Sequence, residues 1–297
     1  MKYKQLGTSS LNISTIGFGC MSLHNDFDSF QQLIDKAIDN GINFFDTADL
    51  YDKGLNETAL GKALNTKRNR VYIATKVGNE WRRDGSGWDW NPRKEYILKA
   101  VEESLKRLQT DHIDLYQLHG GTIDDAIDET IEAFELLAQQ GKIRYYSISS
   151  IRLNVIREWI RRSKIISVMM QYSLLDRRPE EILPLLHEKG IGVLARGSIA
   201  QGLLANKPAR AYLDYSIPDV EKAKQVIEKL SVNKRSRSHV AIQFVLSNPS
   251  ITSAIVGFRT TEQLSEAITS LDSPGLSGEE MELLTQSIAI NYYKEHR

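Results

Sequence analysis

One cysteine, Cys20, is all that this 297-residue chain contains, so no disulfide can form within it, which fits a reducing compartment. An excess of charge of either sign is missing too, because 38 lysines and arginines balance 38 aspartates and glutamates. Without a net basic field there is no reason to expect nucleic acid or an anionic membrane as a partner. No apolar run approaches the ~20 residues that span a bilayer. The N-terminal MKYKQLGTSS is basic but lacks the apolar core of a signal peptide. A cytoplasmic protein is expected. The six histidines (24, 112, 119, 187, 239 and 296) show no H-x-H or H-E-x-x-H spacing, so no metal site is expected. No low-complexity segment or charge block marks a linker, and a single domain over 1–297 is expected.

What is present is a repeating alternation. Short, apolar, β-branched or aromatic runs occur at 15–18, 42–46, 70–75, 113–118, 143–148, 165–170, 191–195 and 253–256. They lack clean polar alternation, as parallel strands buried on both faces do. Between them lie helical patterns. Ile97, Val101, Leu105 and Leu108 form one apolar stripe. Ile127, Ile131, Phe134 and Leu137 form another, which Gly141 is placed to stop. Eight strands alternating with helices predict an α/β fold, a closed (β/α)8 TIM barrel. The segments KYKQLG and LNIS around TSS predict an N-terminal β-hairpin capping the bottom of the barrel. The longest interruptions, 77–92 and 196–218, follow strands and so rise over the C-terminal mouth, where barrel enzymes keep their chemistry.

On this reading Asp46 ends the second strand, Lys76 directly follows the third and His119 directly follows the fourth. Tyr51 lies in the loop above. Each residue alone has an ordinary explanation: a turn cap, a solvated lysine, a satisfied core histidine. Their convergence on one rim points to chemistry. A tyrosine with a pKa of about 10 is a poor acid at neutral pH, and a neighbouring ammonium makes it a better one. Asp46 would keep Lys76 charged and oriented, and a histidine can polarise the same substrate oxygen. The set suits protonation of a carbonyl oxygen as it gains negative charge. It supplies no electron pair, so a hydride donor is required.

GINFFDTADLYDKGLNE, VYIATKVG, IDLYQLHG, GKIRYYSISS, MMQYS and AIVGFRTTEQLSEAI, in this order over about residues 3–270, resemble the aldo-keto reductases. The resemblance implies a catalytic tetrad of Asp46, Tyr51, Lys76 and His119, with Tyr51 as general acid. It implies NADPH or NADH extended across the barrel mouth and a small-molecule carbonyl substrate. Ser149, Ser150 and Gln171 would hold the nicotinamide. The loop 196–204, with Arg196, Gly197, Ser198, Gly202 and Leu203, would wrap the pyrophosphate. Gly257, Arg259, Gln263 and Glu266 would hold the adenosine end, with Arg259 facing a 2′-phosphate. Thr260 and Gln263 have capping-box spacing, which would put a helix N-terminus beside that phosphate. The chain departs from the family pattern in YDKG after the acidic segment, in a second serine where asparagine is usual after the fifth strand, and in Ala267 at the adenine end.

Other readings are weaker. GFGCMS (17–22) is an imperfect dinucleotide fingerprint and is better read as a tight turn. Asp46, Asp49 and Asp52 crowd one segment, whereas a glycosidase places its carboxyls across a sugar. Cys20 has no adjacent base and is read as a small buried residue. Trp81, Trp88 and Trp90 either shape a substrate pocket or pin their own loop. Asp49 and Asp52 have no assigned role, and Asp52 is expected to face solvent. A cofactor-binding regulatory or scaffold subunit is the alternative to an enzyme, and it would be expected to carry an exposed apolar patch or an extra N-terminal segment. The sequence sets neither the natural substrate nor the oligomeric state.

Overall fold

Eight of the apolar runs become parallel strands that close on one another. The computed structural model describes residues 1–22, 27–232, 235–272 and 274–297, so His24 lies outside the described residues. An antiparallel pair comes first, β1 (Tyr3–Gln5) and β2 (Asn12–Ser14). The barrel strands begin with β3 (Ile16–Gly19), β4 (Phe44–Asp46) and β5 (Tyr72–Val77). A second antiparallel pair, β6 (Asn79–Trp81) and β7 (Trp88–Trp90), fills much of the long interruption after β5. The ring continues with β8 (Ile113–Leu118), β9 (Ile143–Ser149), β10 (Ser167–Gln171), β11 (Gly192–Arg196) and β12 (Ile251–Gly257). It closes where β12 pairs with β3, which gives the expected (β/α)8 barrel.

Side chains on a strand alternate between its two faces, and this period places the site. Phe44, Ala74, Leu115, Met169 and Leu194 belong to one buried cluster inside the barrel, together with Leu6, Leu11 and Ile13 of the N-terminal hairpin. The hairpin therefore floors the barrel, as expected. Two residues further along the same five strands, on the same face, stand Asp46, Lys76, Gln117, Gln171 and Arg196. The interior thus changes from apolar filling to a polar layer within one repeat. The other faces, including Phe45, Ile73, Tyr116 and Ile148, pack outward against the helices. The helices Lys94–Leu108 and Ile127–Gln139 bury their predicted stripes there, with only Leu105 partly exposed. Gly141, just past the second helix, has φ +72° as expected.

The glycines of GFGC require a correction, because Gly17 and Gly19 lie within β3 and not in a turn. A Cβ on Gly17 would come within 2.5 Å of Ile255 Cδ1 and 3.1 Å of the Phe44 ring, so any side chain there would make the packed barrel interior shift. The turn follows at Cys20–Ser22. Six strands also run one or two residues past their expected ends, because backbone ladders continue whatever the side chain's polarity. Lys76 pairs in register with Gln117, and Gln171 with Arg196. Lys76 therefore sits inside β5 instead of following it, and Ser149 and Gln171 are final strand residues. Placement on strands holds such groups more rigidly than a loop would. Among the described residues no helix is long and apolar enough to cross a membrane.

Candidate active site

A lysine buried inside a strand needs partners for its charge, and Lys76, only 1% exposed, has three. Its Nζ donates to Asp46 Oδ2 at 2.7 Å, to the Thr47 carbonyl at 2.6 Å and to Tyr51 Oη at 3.4 Å. Burial pulls the Lys76 pKa down, but the charges and hydrogen bonds of Asp46 and Tyr51 outweigh it and leave the pKa above the ordinary lysine value. The group is an ammonium. Burial raises the Asp46 carboxyl, and Lys76 and Gln117 pull it back. Both shifts are upward, and the close contacts to Lys76 and Gln117 favour the ionised pair.

Tyr51 opens a 3₁₀ turn, Tyr51–Gly54, whose Asp52 and Lys53 adopt left-handed φ of 49° and 53°. Asp52 is exposed, as expected. His119 follows β8 directly, and its ring meets Tyr51 edge to face at 5.9 Å between centroids. Burial, then the positive charges of Lys76 and Arg196, push the His119 pKa down to about 3. The imidazole is therefore neutral, and its Nδ1 is buried with no hydrogen-bond partner among the described residues. The four residues drawn from one rim in the sequence are thus brought into one cluster.

Asp49 is buried behind this cluster, and its Oδ1 has no partner among the described residues. Burial, then the charge of Glu57, push its carboxyl well above the usual range. Glu57 itself is fully buried, accepting from Thr75 Oγ1 at 2.6 Å and Arg107 Nε at 2.7 Å. These contacts tie the helix that follows the Tyr51 turn to its neighbours.

Sequence reasoning missed Gln117, Ser147 and Thr47. Gln117 Nε2 donates to Asp46 Oδ1 at 3.1 Å and its Oε1 accepts from Ser147 Oγ at 3.2 Å. A polar residue within the apolar run IDLYQL was the available signal. Thr47 contributes a carbonyl, which side-chain chemistry does not reveal.

The expected cofactor residues spread over the opposite rim. Ser149 and Ser150 are buried and Gln171 half-buried, while Arg196 is exposed at the end of β11. In the following loop Gly197 has φ +76° and Gly202 φ +92°, and Ser198 Oγ is buried without a partner among the described residues. Leu203 is buried in the core, so only its backbone can reach a ligand. Gly257 and Arg259 are exposed beyond the core of β12, and Glu266 is half-buried. The expected capping box forms by half. Thr260 Oγ1 accepts from Gln263 N at 3.3 Å, but Gln263 Oε1 accepts from Arg259 N instead of Thr260 N. Serine hydroxyls, an amide, exposed guanidiniums and a helix N-terminus along one rim suit an extended polar ligand carrying phosphates.

Two cavities open here. One, of about 460 Å³, is lined by Tyr51 with Met21, Leu50, Trp81 and Trp88. The other, of about 550 Å³, is lined by His119, Ser149, Ser150 and Arg196 together with residues 292–296. Trp90 instead donates to Asp125 Oδ1 at 2.9 Å and pins the loop, while Trp81 and Trp88 line the cavity beside Tyr51. Cys20 is buried, and burial raises its thiol, as befits an inert core residue.

A profile of the Aldo/keto reductase family matches residues 15–289. The chain is 48% identical to "Uncharacterized oxidoreductase YqkF" of Bacillus subtilis (strain 168), covering all of both chains. It is 31% identical to the L-galactose dehydrogenase of Arabidopsis thaliana over 94% of this chain and 92% of that one. Its fold is similar to the holo form of aldo-keto reductase AKR11C1 from Bacillus halodurans, with a TM-score of 0.95 and 46% identity over 100% and 99% of the two chains. The chain belongs to the aldo/keto reductase family and is an NAD(P)H-dependent oxidoreductase.

Proposed function

We propose that this protein, as one barrel domain over residues 1–297, reduces aldehydes or ketones to alcohols with NADPH, and that Tyr51 is the general acid. The observation that carries this reading is the Lys76 ammonium, held 2.7 Å from Asp46 and 3.4 Å from the Tyr51 hydroxyl. When a carbonyl oxygen gains charge, Tyr51 delivers its proton, and Lys76 stabilises the phenolate left behind. Asp46, fixed by Gln117, keeps Lys76 in place. Neutral His119 can donate a hydrogen bond to the same oxygen without competing for the proton. Bound along the opposite rim, a dinucleotide would supply the hydride. Ser149, Ser150 and Gln171 would orient its nicotinamide, Arg196, Gly197, Ser198, Gly202 and the Leu203 backbone would follow its pyrophosphate, and Gly257, Arg259, Gln263 and Glu266 would meet its adenosine end. The likeness to the holo form of AKR11C1 supports a site shaped for a cofactor.

A fluorescence titration with NADPH and NADH, followed by a panel of aldehydes and ketones, tests the reading. Saturable NADPH binding with carbonyl-dependent oxidation of the nucleotide is expected. Binding without turnover on any carbonyl would count against the proposed reaction.

A further inference from the structure

Residues 291–297 are fastened across the loops that follow β9, β10 and β11. Asn291 Oδ1 accepts from Arg177 N at 3.2 Å, and the His296 carbonyl accepts from Asn154 N at 2.9 Å. Lys294 pairs with Asp214 at 3.0 Å and Arg297 with Glu181 at 3.0 Å. Between these ties Tyr293 is buried, 6% exposed, with the Arg178 guanidinium 4.7 Å from its ring centre. That guanidinium is taken up bidentately by Asp176, at 2.8 Å twice. The Tyr293 hydroxyl is buried with no partner among the described residues. A buried phenol without a hydrogen bond is costly, so this hydroxyl calls for a partner that the protein itself does not supply.

Tyr293 lines the same 550 Å³ cavity as His119, Ser149, Ser150 and Arg196. Tyr51 lines the other cavity, with Trp81 and Trp88. A carbonyl that receives its proton from Tyr51 is best approached from the Tyr51 cavity, with His119, whose ring meets Tyr51, at the border of the Tyr293 cavity. The rest of that cavity, beside Ser149 and Ser150, is left to the cofactor. Arg259 and Gln263, at the expected adenosine end, are not among its lining residues.

We propose that Tyr293 is a cofactor contact: its hydroxyl hydrogen-bonds the nicotinamide half of the bound dinucleotide, and residues 292–296 form the outer wall of that half-site. This rests on the proposed dinucleotide-dependent function. The family resemblance assigned no residue of this segment to the cofactor.

The test compares wild type with Tyr293→Phe, which keeps the ring against Arg178 and removes only the hydroxyl. Binding of NADPH, of reduced nicotinamide mononucleotide and of adenosine 2′,5′-bisphosphate is titrated. NADPH and the mononucleotide are expected to bind roughly tenfold more weakly, as for one lost buried hydrogen bond, with the adenosine bisphosphate unchanged. The Tm without ligand should be unchanged or higher, because an unpartnered buried hydroxyl has gone. Unchanged NADPH and mononucleotide affinity would overturn the proposal. So would equal losses for all three ligands with a lowered Tm, which would mark a structural role, or a raised carbonyl KM with intact NADPH binding. A wild type that binds no NADPH would overturn the function it rests on as well. In wild type, the mononucleotide but not the adenosine bisphosphate should slow carboxypeptidase release of residues 292–297, and no such protection would also count against it.

Discussion

Gln117 Nε2 lies 3.1 Å from Oδ1 of Asp46, the carboxylate oxygen that Lys76 leaves free. The buried ion pair thus has a neutral third member that fixes the carboxylate's rotation. Replacing Gln117 with leucine leaves that oxygen buried and unpaired. Unfolding free energy should fall by about 1–3 kcal/mol, and kcat should fall while NADPH affinity is unchanged. Denaturant unfolding and steady-state rates check this. A variant as stable and as fast as wild type would show that Asp46 does not depend on Gln117.

Much of this arrangement is legible in the sequence, because it follows from strand period and chain order. The apolar run ending at Asp46 and the His119 that follows IDLYQL fix two points on the rim, and both fall where expected. Lys76 lies one step further inside its strand than the hydrophobic pattern predicts, since that pattern stops where the side chains turn polar but the backbone ladder does not. Contacts made through carbonyls, such as Thr47 to Lys76, leave no trace in residue type. Tyr293 is illegible for another reason: only the folded chain brings residue 293 beside residue 178.

Asp49 makes stability depend on pH in a definite direction. Its carboxyl pKa is raised in the fold by burial and then by Glu57, so the folded state binds this proton more tightly than the unfolded state does. Its contribution is therefore full below the unfolded value of 3.8 and is lost as pH rises from there through the folded pKa. Asp49→Asn should be more stable than wild type at neutral pH, with a flatter fall in stability above about pH 4. Urea midpoints between pH 4 and 8 read this. A variant less stable than wild type at pH 7 would contradict it.

His119 should contribute no ionisation to the pH profile of catalysis in the neutral range. With its pKa near 3 the imidazole stays neutral throughout. kcat/KM between pH 5 and 8 is expected to lack a histidine inflection near 6.5. An inflection there that disappears in His119→Asn would show a titrating imidazole.

Arg259, exposed beside the start of the helix Thr261–Thr269, should distinguish the two nucleotides. A guanidinium gains a charged hydrogen bond from a 2′-phosphate that NADH lacks. Arg259→Ala is expected to weaken NADPH binding by about tenfold or more and to change NADH binding little. Equal losses in parallel titrations would show that Arg259 does not read the 2′-phosphate.

The most direct test of the central claim is the turnover of Tyr51→Phe, measured beside its affinity for NADPH. Loss of the proton donor should lower kcat by about 10²–10⁴-fold, with NADPH bound as tightly as by wild type. Turnover at the wild-type rate would contradict the assignment of Tyr51 as general acid.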